Sequence, residues 1–228
     1  KYLSLNKLSS YILFQDHHLI IANKPGGVPA QEDKTKDPSL LRLLQAYCKR
    51  DLFLVHRIDR PVSGLIVLVK NSKDQIIIQN QIQSQQFEKT YLAIVPKIDI
   101  PDQGILEHFI IHDTKNNKGR ISPSGDDEQA KKATLSYVIK KDLDQYRLLE
   151  IKTQTGRFHQ IRAQLAHENM PIKGDVKYGA RRSNKDRTIG LHAWKISFYH
   201  PSSNRAVNFV ADLPENDIWP HFQLTEEY

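Results

Sequence analysis

The chain is poor in cysteine and has no long apolar run. Cys48 is the single cysteine among 228 residues, which excludes an internal disulfide and fits a reducing compartment. It lies on an apolar helical pattern, so we interpret it as a packed residue. No segment approaches the roughly 20 apolar residues that span a bilayer, and residues 1–6 lack the core of a signal peptide. We therefore expect a cytoplasmic protein without a membrane partner, and a monomer.

The charge of the chain is positive and uneven. Its formal net charge is +7, with 39% hydrophobic and 26% charged residues, a composition typical of globular proteins. Residues 151–195 carry ten Lys or Arg against three acids, whereas residues 196–228 carry one arginine against five acids. A local excess of positive charge indicates a polyphosphate ligand. The alternative is a solvated surface loop.

The most informative segment is residues 54–64, Leu-Val-His-Arg-Ile-Asp-Arg-Pro-Val-Ser-Gly. It places one carboxylate, Asp59, between Arg57 and Arg60. Nearby positive charge favours the ionised form of a carboxyl group. Asp59 is thus a candidate nucleophile or electrostatic stabiliser and a poor proton donor. The alternative is a structural salt bridge to Arg57, Arg60 or Arg162.

A second cluster, residues 155–162 (Thr-Gly-Arg-Phe-His-Gln-Ile-Arg), follows about a hundred residues later. Together the two clusters resemble the RluA-type pseudouridine synthases, whose signature reads His-Arg-Leu-Asp-Arg-x-Thr-Ser-Gly. Further matching blocks occur in family order at residues 23–27, 89–93, 171–179, 191–193 and 200–201. The main departure is Val62, which replaces the usual threonine and puts the local hydrogen bonding of the loop in question.

The resemblance implies an α+β fold. Its expected form is a curved, mixed and mostly antiparallel sheet with flanking helices and a central cleft. We expect residues 1–228 to form a single catalytic domain with two lobes around that cleft, and no separate N-terminal RNA-binding domain in this chain.

The resemblance also implies an activity, the isomerisation of specific uridines in rRNA or tRNA to pseudouridine without a cofactor or metal. Asp59 matches the catalytic aspartate, and Arg162 the arginine that pairs with it. Tyr91 matches the tyrosine that stacks on the uracil. Arg57 matches the residue that replaces the flipped base in the RNA stack, and extruding a base is the general strategy of base-modifying enzymes.

The remaining candidate residues are expected to bind RNA or to order loops. Arg181, Arg182, Lys185 and Arg187 lie in a polar stretch without apolar periodicity, which predicts an exposed loop. His56 and His159 are expected to orient loops by hydrogen bonds. The predicted RNA-binding residues are Arg57, Arg60, Lys89, His159, Arg181, Arg182, Lys185 and Arg187.

Other functions fit the sequence less well. His56, Asp59 and His159 could form a two-histidine, one-carboxylate iron site, but the neighbouring arginines would repel a divalent cation. A retaining glycosidase needs a second carboxylate, which the motif lacks. The segment after Lys24 lacks the spacing of a phosphate loop and is interpreted as a turn. The main alternative is an RNA-binding ribosome-assembly factor with this fold and little or no catalysis.

The pattern of apolar residues predicts the secondary structure. Helices are expected from Asp37, as N-cap, to about Arg50, and from a Ser72–Gln75 capping box to about Gln86. A third should begin near Arg157 and direct Arg162 away from the core. The region 109–132 is polar and turn-rich, which indicates a mobile loop or a surface segment. Strands are predicted at residues 11–14, 19–23, 90–95, 133–139, 146–152, 192–199 and 205–211, the last four forming two hairpins.

Overall fold

The computed structural model describes residues 5–224 and separates them into two compact units. The first unit comprises residues 5–89 and 192–212, and the second comprises residues 90–191 and 213–224. The prediction of a single two-lobed domain stays a prediction.

The described residues form strands, three α-helices and short 3-10 segments. The strands are β1 (Ile12–Gln15), β2 (Leu19–Lys24), β3 (Phe53–Leu54), β4 (Ser63–Val69), β5 (Glu88–Pro96), β6 (Gln103–Asp113), β7 (Lys118–Ser122), β8 (Lys131–Asp142), β9 (Tyr146–Thr153), β10 (Leu191–Tyr199) and β11 (Ala206–Val210). The α-helices are α1 (Leu40–Cys48), α2 (Ser72–Gln83) and α3 (Gln160–His167). The 3-10 segments are Leu5–Tyr11, Val176–Tyr178 and Trp219–Phe222.

In the first unit, β4 is the central strand. On one side it pairs in antiparallel fashion with β2, and β1 extends the sheet beyond β2. On its other side β4 pairs with the short β3 in antiparallel fashion, at Leu68 and Val69, and meets β10 in parallel, with His192 and Ala193 opposite Ser63 and Gly64. Strand β11 completes a hairpin with β10.

In the second unit, the strands pair in the order β5-β9-β8-β6-β7, all antiparallel. Apart from the parallel pair of β4 and β10, the pairs given above for residues 5–224 are antiparallel, and the prediction of an α+β fold with a mixed, mostly antiparallel sheet is confirmed.

Both faces of β4 are covered, which explains its unbroken apolar run. Side chains alternate along a strand, so Leu65, Val67 and Val69 join one buried cluster while Ile66 and Leu68 join another. Helix α2 contributes Ile78 to the first cluster, and α1 contributes Leu40 and Leu44 to the second. The segment that carries Asp59 is thus attached to a strand fixed on two sides.

The predicted helix starts were wrong in detail. Ser39 is the N-cap of α1, because its side chain accepts from the N–H of Arg42, whereas the side chain of Asp37 binds Arg60. Asn71 is the N-cap of α2, so Ser72 does not form a capping box. Helix α2 contains three consecutive isoleucines, of which Ile76 and Ile77 are exposed and Ile78 is buried.

The predicted strands and both hairpins are confirmed, with ends shifted by a few residues. The prediction of a mobile loop or a surface segment at residues 109–132 was partly wrong. This region contains the end of β6 and the whole of β7, which pair as a hairpin. Their polar residues alternate with half-buried ones, a pattern that a one-sided antiparallel strand tolerates.

We predict that Gly64→Ala destabilises the protein strongly. Gly64 has φ of +114°, and an added Cβ would lie 2.2 Å from the carbonyl oxygen of Ala193 in the paired strand. We expect the free energy of unfolding to fall by roughly 3 kcal/mol or more, measured by urea denaturation. Gly27→Ala is the control, because its φ is +87° but no atom lies within 4 Å of the added Cβ. It should cost only about 1–2 kcal/mol for the left-handed backbone, and equal losses would contradict the steric argument.

Candidate active site

Asp59 lies on the loop between β3 and β4 and is half-buried, while Arg57 beside it is exposed. The N–H of Val62 donates to the carbonyl oxygen of Asp59 at 3.0 Å and closes a turn. Ile58 and Val62 point inward, with 7% and 2% of their surfaces exposed. The valine that replaces the family threonine is therefore an apolar anchor of this loop.

Lys24, at the end of β2, is a buried cation that secures the same loop. Its Nζ donates to the carbonyl oxygens of Pro25 (3.0 Å), Val28 (2.7 Å) and Arg60 (3.2 Å). Burial lowers the pKa of Lys24 to about 7, and the charge of Asp59 opposes that shift. Three carbonyl acceptors can bind all three N–H groups of an ammonium group, so this geometry fits the protonated form of Lys24. The sequence interpretation of this segment as a simple turn missed Lys24; the available signal was a lysine that directly follows an apolar strand.

His56 is held by the strand that follows it. Its Nε2 accepts the N–H of Val67 at 3.1 Å, and its ring lies 5.4 Å from that of Phe87. Burial, with a smaller contribution from the charge of Lys89, lowers the pKa of His56 to about 3. His56 is therefore neutral at pH 7, and the expectation that it orients its loop by a hydrogen bond is confirmed.

In the second unit, Arg162 forms a buried salt bridge with Asp175. Its Nε and one terminal nitrogen lie 2.7 Å and 2.9 Å from the two carboxylate oxygens, a bidentate geometry. The ring of Tyr178 lies 4.9 Å from the guanidinium carbon. Only 5% of Arg162 is exposed, so it is not a plain surface residue. Asp175 was not selected as a functional candidate from the sequence, although it lies within the matching block at residues 171–179. The pairing of Arg162 with Asp59 stays a prediction.

His159 secures the start of α3, which begins at Gln160, three residues later than predicted. His159 itself has φ of +52°. Its Nδ1 lies 2.9 Å from the hydroxyl of Tyr178, and that hydroxyl also accepts the N–H of Gly119 at 2.7 Å. These bonds join the start of α3 to β7, so His159 also orients its loop, as expected.

Tyr91 and Lys89 lie on β5. Tyr91 is opposite Ile151 of β9 and is 9% exposed. Lys89 is half-buried, and this burial lowers its pKa. Their predicted roles in base stacking and RNA binding stay predictions.

The basic segment is exposed, as predicted: Arg181, Arg182, Lys185 and Arg187 all lie at the surface. Between them Asn184 is buried, and its Oδ1 accepts from the Nζ of Lys173 at 2.9 Å. The loop is therefore anchored at its centre while its cations face solvent. Arg60, by contrast, bonds within the chain to Gly27, Asp33, Thr35 and Asp37.

One cluster in the described range could hold a metal ion, formed by His108, His167 and Glu168, whose ligand atoms lie within 4.8 Å of one another. The amide nitrogen of Gln164 donates to Nδ1 of His108 at 3.2 Å, which places the ring proton on Nε2. That Nε2 donates to Glu168 at 3.0 Å, so two of the three possible ligands already bind each other. The alternative iron site of the sequence analysis would use His56 and His159 as ligands. In the structure, Nε2 of His56 already accepts the N–H of Val67, and Nδ1 of His159 lies within hydrogen-bond distance of the hydroxyl of Tyr178.

Comparison with known proteins gives the family. Residues 18–167 match the model of the RNA pseudouridylate synthase family. The chain is 31% identical to the ribosomal large subunit pseudouridine synthase C of Buchnera aphidicola, over 90% of this chain and 67% of that protein. It is 27% identical to the tRNA pseudouridine synthase C of Vibrio parahaemolyticus, over 95% of this chain and 96% of that protein. The structure of human RNA pseudouridylate synthase domain containing 4 shares the fold, with a TM-score of 0.75, 24% identity and coverage of 96% of this chain and 93% of that one.

These matches define the class of protein as RNA pseudouridine synthases, which are isomerases that modify RNA. The chain belongs to this family, in its RluA-type branch, as its motifs predicted. It spans about two thirds of the length of several curated relatives. Among residues 5–224, no helix has the length and apolar character needed to cross a membrane.

We predict that mild acid destabilises the protein through its buried histidines. Burial lowers the folded-state pKa of both His56 and His192 to about 3. The unfolded state therefore binds more protons between about pH 3 and pH 6.5, and stability is lost as the pH falls through that window. Each histidine should contribute roughly 1.5 kcal/mol of destabilisation between pH 6.5 and pH 5. Urea denaturation at several pH values measures this loss.

His56→Gln separates the contribution of one histidine, because glutamine can still accept the N–H of Val67. The slope of the unfolding free energy against pH should become shallower by up to about 1.4 kcal/mol per pH unit. His17→Gln is the control, since His17 is exposed. An unchanged slope in His56→Gln would show that His56 does not titrate in this window.

Proposed function

We propose that this chain isomerises specific uridines of rRNA or tRNA to pseudouridine, with Asp59 as the catalytic carboxylate and without a cofactor. The observation that carries the proposal is the fixed loop of Asp59, in which Lys24 binds the backbone on one side and β4 follows on the other. Catalysis requires reactive groups to be held in place. We further propose that the protein acts as a cytoplasmic monomer.

The reaction exchanges one bond for another at a single uracil. The bond between N1 and the sugar carbon breaks, the base rotates, and C5 bonds to the same carbon. C5 then loses its proton while N1 gains one, so no net oxidation occurs. Asp59 either captures or electrostatically supports the sugar carbon, or removes a proton from the sugar.

Tyr91 and Arg162 complete the proposed catalytic set. Tyr91 stacks on the uracil, and its hydroxyl assists removal of the C5 proton. Arg162 is proposed to pair with Asp59, and its guanidinium is bound by Asp175. Support for this role is the bidentate bond to Asp175, which fixes the orientation of the guanidinium plane.

RNA is held by cations that lie at or near the surface. Arg57 is exposed next to Asp59 and is proposed to take the place of the flipped base. Lys89 and His159 are proposed to contact the RNA near the reacting nucleotide. The exposed cations of the basic segment are proposed to bind phosphates, which position an RNA without reading its sequence.

The second candidate is an RNA-binding ribosome-assembly factor with little or no catalysis. Turnover distinguishes the two functions. The wild-type protein should form pseudouridine in total rRNA or tRNA isolated from cells that lack the gene. Binding without any product would favour the assembly factor.

We predict that Asp59→Asn abolishes isomerisation and leaves RNA affinity within a few-fold of wild type. The amide preserves the shape of the side chain but removes its charge and nucleophilicity. Pseudouridine in the RNA product and RNA binding are measured in parallel. The control is Asp51→Asn, the same change at an exposed acid upstream of the motif. Substantial product from Asp59→Asn would refute the assignment of Asp59.

We also predict that the basic segment contributes to binding and little to chemistry. Each phosphate contact to single-stranded RNA adds about 0.7 to the slope of log affinity against log salt, so replacing Arg181, Arg182, Lys185 and Arg187 by Gln should flatten that slope by up to about 2.8. The loss should be similar for target and non-target RNA. Turnover at saturating RNA should change much less.

A control with the same charge change uses exposed cations scattered over both units: Arg42, Lys73, Lys131 and Lys152, all changed to Gln. If the two quadruple variants show the same salt slope, the basic segment has no special role in binding.

A further inference from the structure

Arg60 follows Asp59 directly, and its side chain is bound within the first unit. Its Nε donates to the carbonyl oxygen of Gly27 at 2.9 Å. One terminal nitrogen donates to the hydroxyl of Thr35 at 2.7 Å and lies 3.4 Å from a carboxylate oxygen of Asp33. The other terminal nitrogen binds the carboxylate of Asp37. All three guanidinium nitrogens thus have partners in residues 27–37.

The backbone of Arg60 is held from the same direction. Its carbonyl oxygen accepts both the N–H of Gly27, at 2.8 Å, and the Nζ of Lys24, at 3.2 Å. Gly27 and Arg60 therefore bond each other twice, once through each backbone carbonyl. The turn that carries Asp59 is fixed on this side by both the backbone and the side chain of its next residue.

The two acids and Arg60 form a charged group that persists at neutral pH. The hydrogen bond from Arg60 lowers the pKa of Asp37, and the hydroxyl of Thr35 together with Arg60 lowers that of Asp33. Both carboxylates are ionised, and both contact the arginine. An exposed ion pair contributes little stability by itself, so its value lies in geometry rather than in free energy of folding.

We propose that Asp33 and Asp37 are positioning residues for the isomerisation, because they hold Arg60 and through it the turn that presents Asp59. The proposal rests on the assigned role of Asp59. The proposal gives Arg60 a function other than the predicted RNA contact. The donors of Arg60 already bind groups of this chain, and an RNA phosphate would have to displace two carboxylates to reach them. It also explains why segment 33–37 needs two acids next to a positively charged motif.

The test is the double variant Asp33→Asn/Asp37→Asn. A small displacement of a reacting group costs up to about a hundredfold in rate. We expect kcat to fall by about tenfold to a hundredfold, with KM for the RNA within about threefold. When Asp37→Glu replaces Asp37→Asn in this double variant, part of the lost kcat should be recovered, because a carboxylate is again present for Arg60. Thr35→Val, which removes the hydroxyl that contacts Arg60 and both acids but keeps both carboxylates, should give a smaller loss of kcat.

The matched control is Glu32→Gln/Asp51→Asn, which removes two negative charges from exposed positions of the same unit without touching Arg60. It accounts for the general gain in RNA affinity that follows any loss of negative charge. Equal kcat values for the two double variants would overturn the proposal. A normal kcat with a steeper salt dependence of binding would also overturn it, since Arg60 would then be a phosphate ligand released from its acids.

Hydrogen exchange separates this proposal from the role of Asp59 itself. The amide of Gly27 donates to Arg60, so it should lose protection in Asp33→Asn/Asp37→Asn and keep it in the control. If Asp59→Asn proved active, the assigned role of Asp59 would fail while this exchange result stood. Retained protection of Gly27 together with a reduced kcat would overturn the positioning mechanism.

Discussion

The buried ammonium group of Lys24 is the interaction on which the loop of Asp59 depends. A cation without water is costly unless polar groups surround it. Here two stretches of backbone supply carbonyl oxygens, from Pro25 and Val28 on one side and from Arg60 on the other. The cation therefore ties together two loops that are 36 residues apart in the chain. Any displacement of the Asp59 turn would leave one N–H group of Lys24 without its acceptor, the carbonyl oxygen of Arg60.

The second unit uses a comparable device with the charges reversed. Asp175 is a buried anion whose two oxygens are both bound by Arg162. Tyr178, three residues later, covers the guanidinium with its ring and ties the start of α3 to β7 through its hydroxyl. Removing one partner of such a pair leaves an unpaired buried charge, so substitution of Arg162 or Asp175 is expected to be strongly destabilising.

Much of the fold could be predicted from the sequence, because strand alternation and hairpin spacing are local properties. The strands at residues 133–139 and 146–152 are examples. The N-cap of α1 could not be predicted, since Asp37 and Ser39 are both good caps and the choice depends on Arg60, a residue distant in sequence. The motifs identified Asp59 and Arg162, but not Lys24 or Asp175. Their importance comes from burial and partners, which composition does not reveal.

The central anchor of the basic segment has an entropic consequence. Asn184 is buried and bonded to Lys173, so the loop is divided into two short spans instead of one long one. Much of its backbone freedom is thus lost when the protein folds, before any ligand binds. A preordered array of cations binds phosphates with a smaller ordering cost than a flexible tail of the same charge. If these cations bind phosphates as proposed, the buried amide of a neutral residue would affect how tightly they bind.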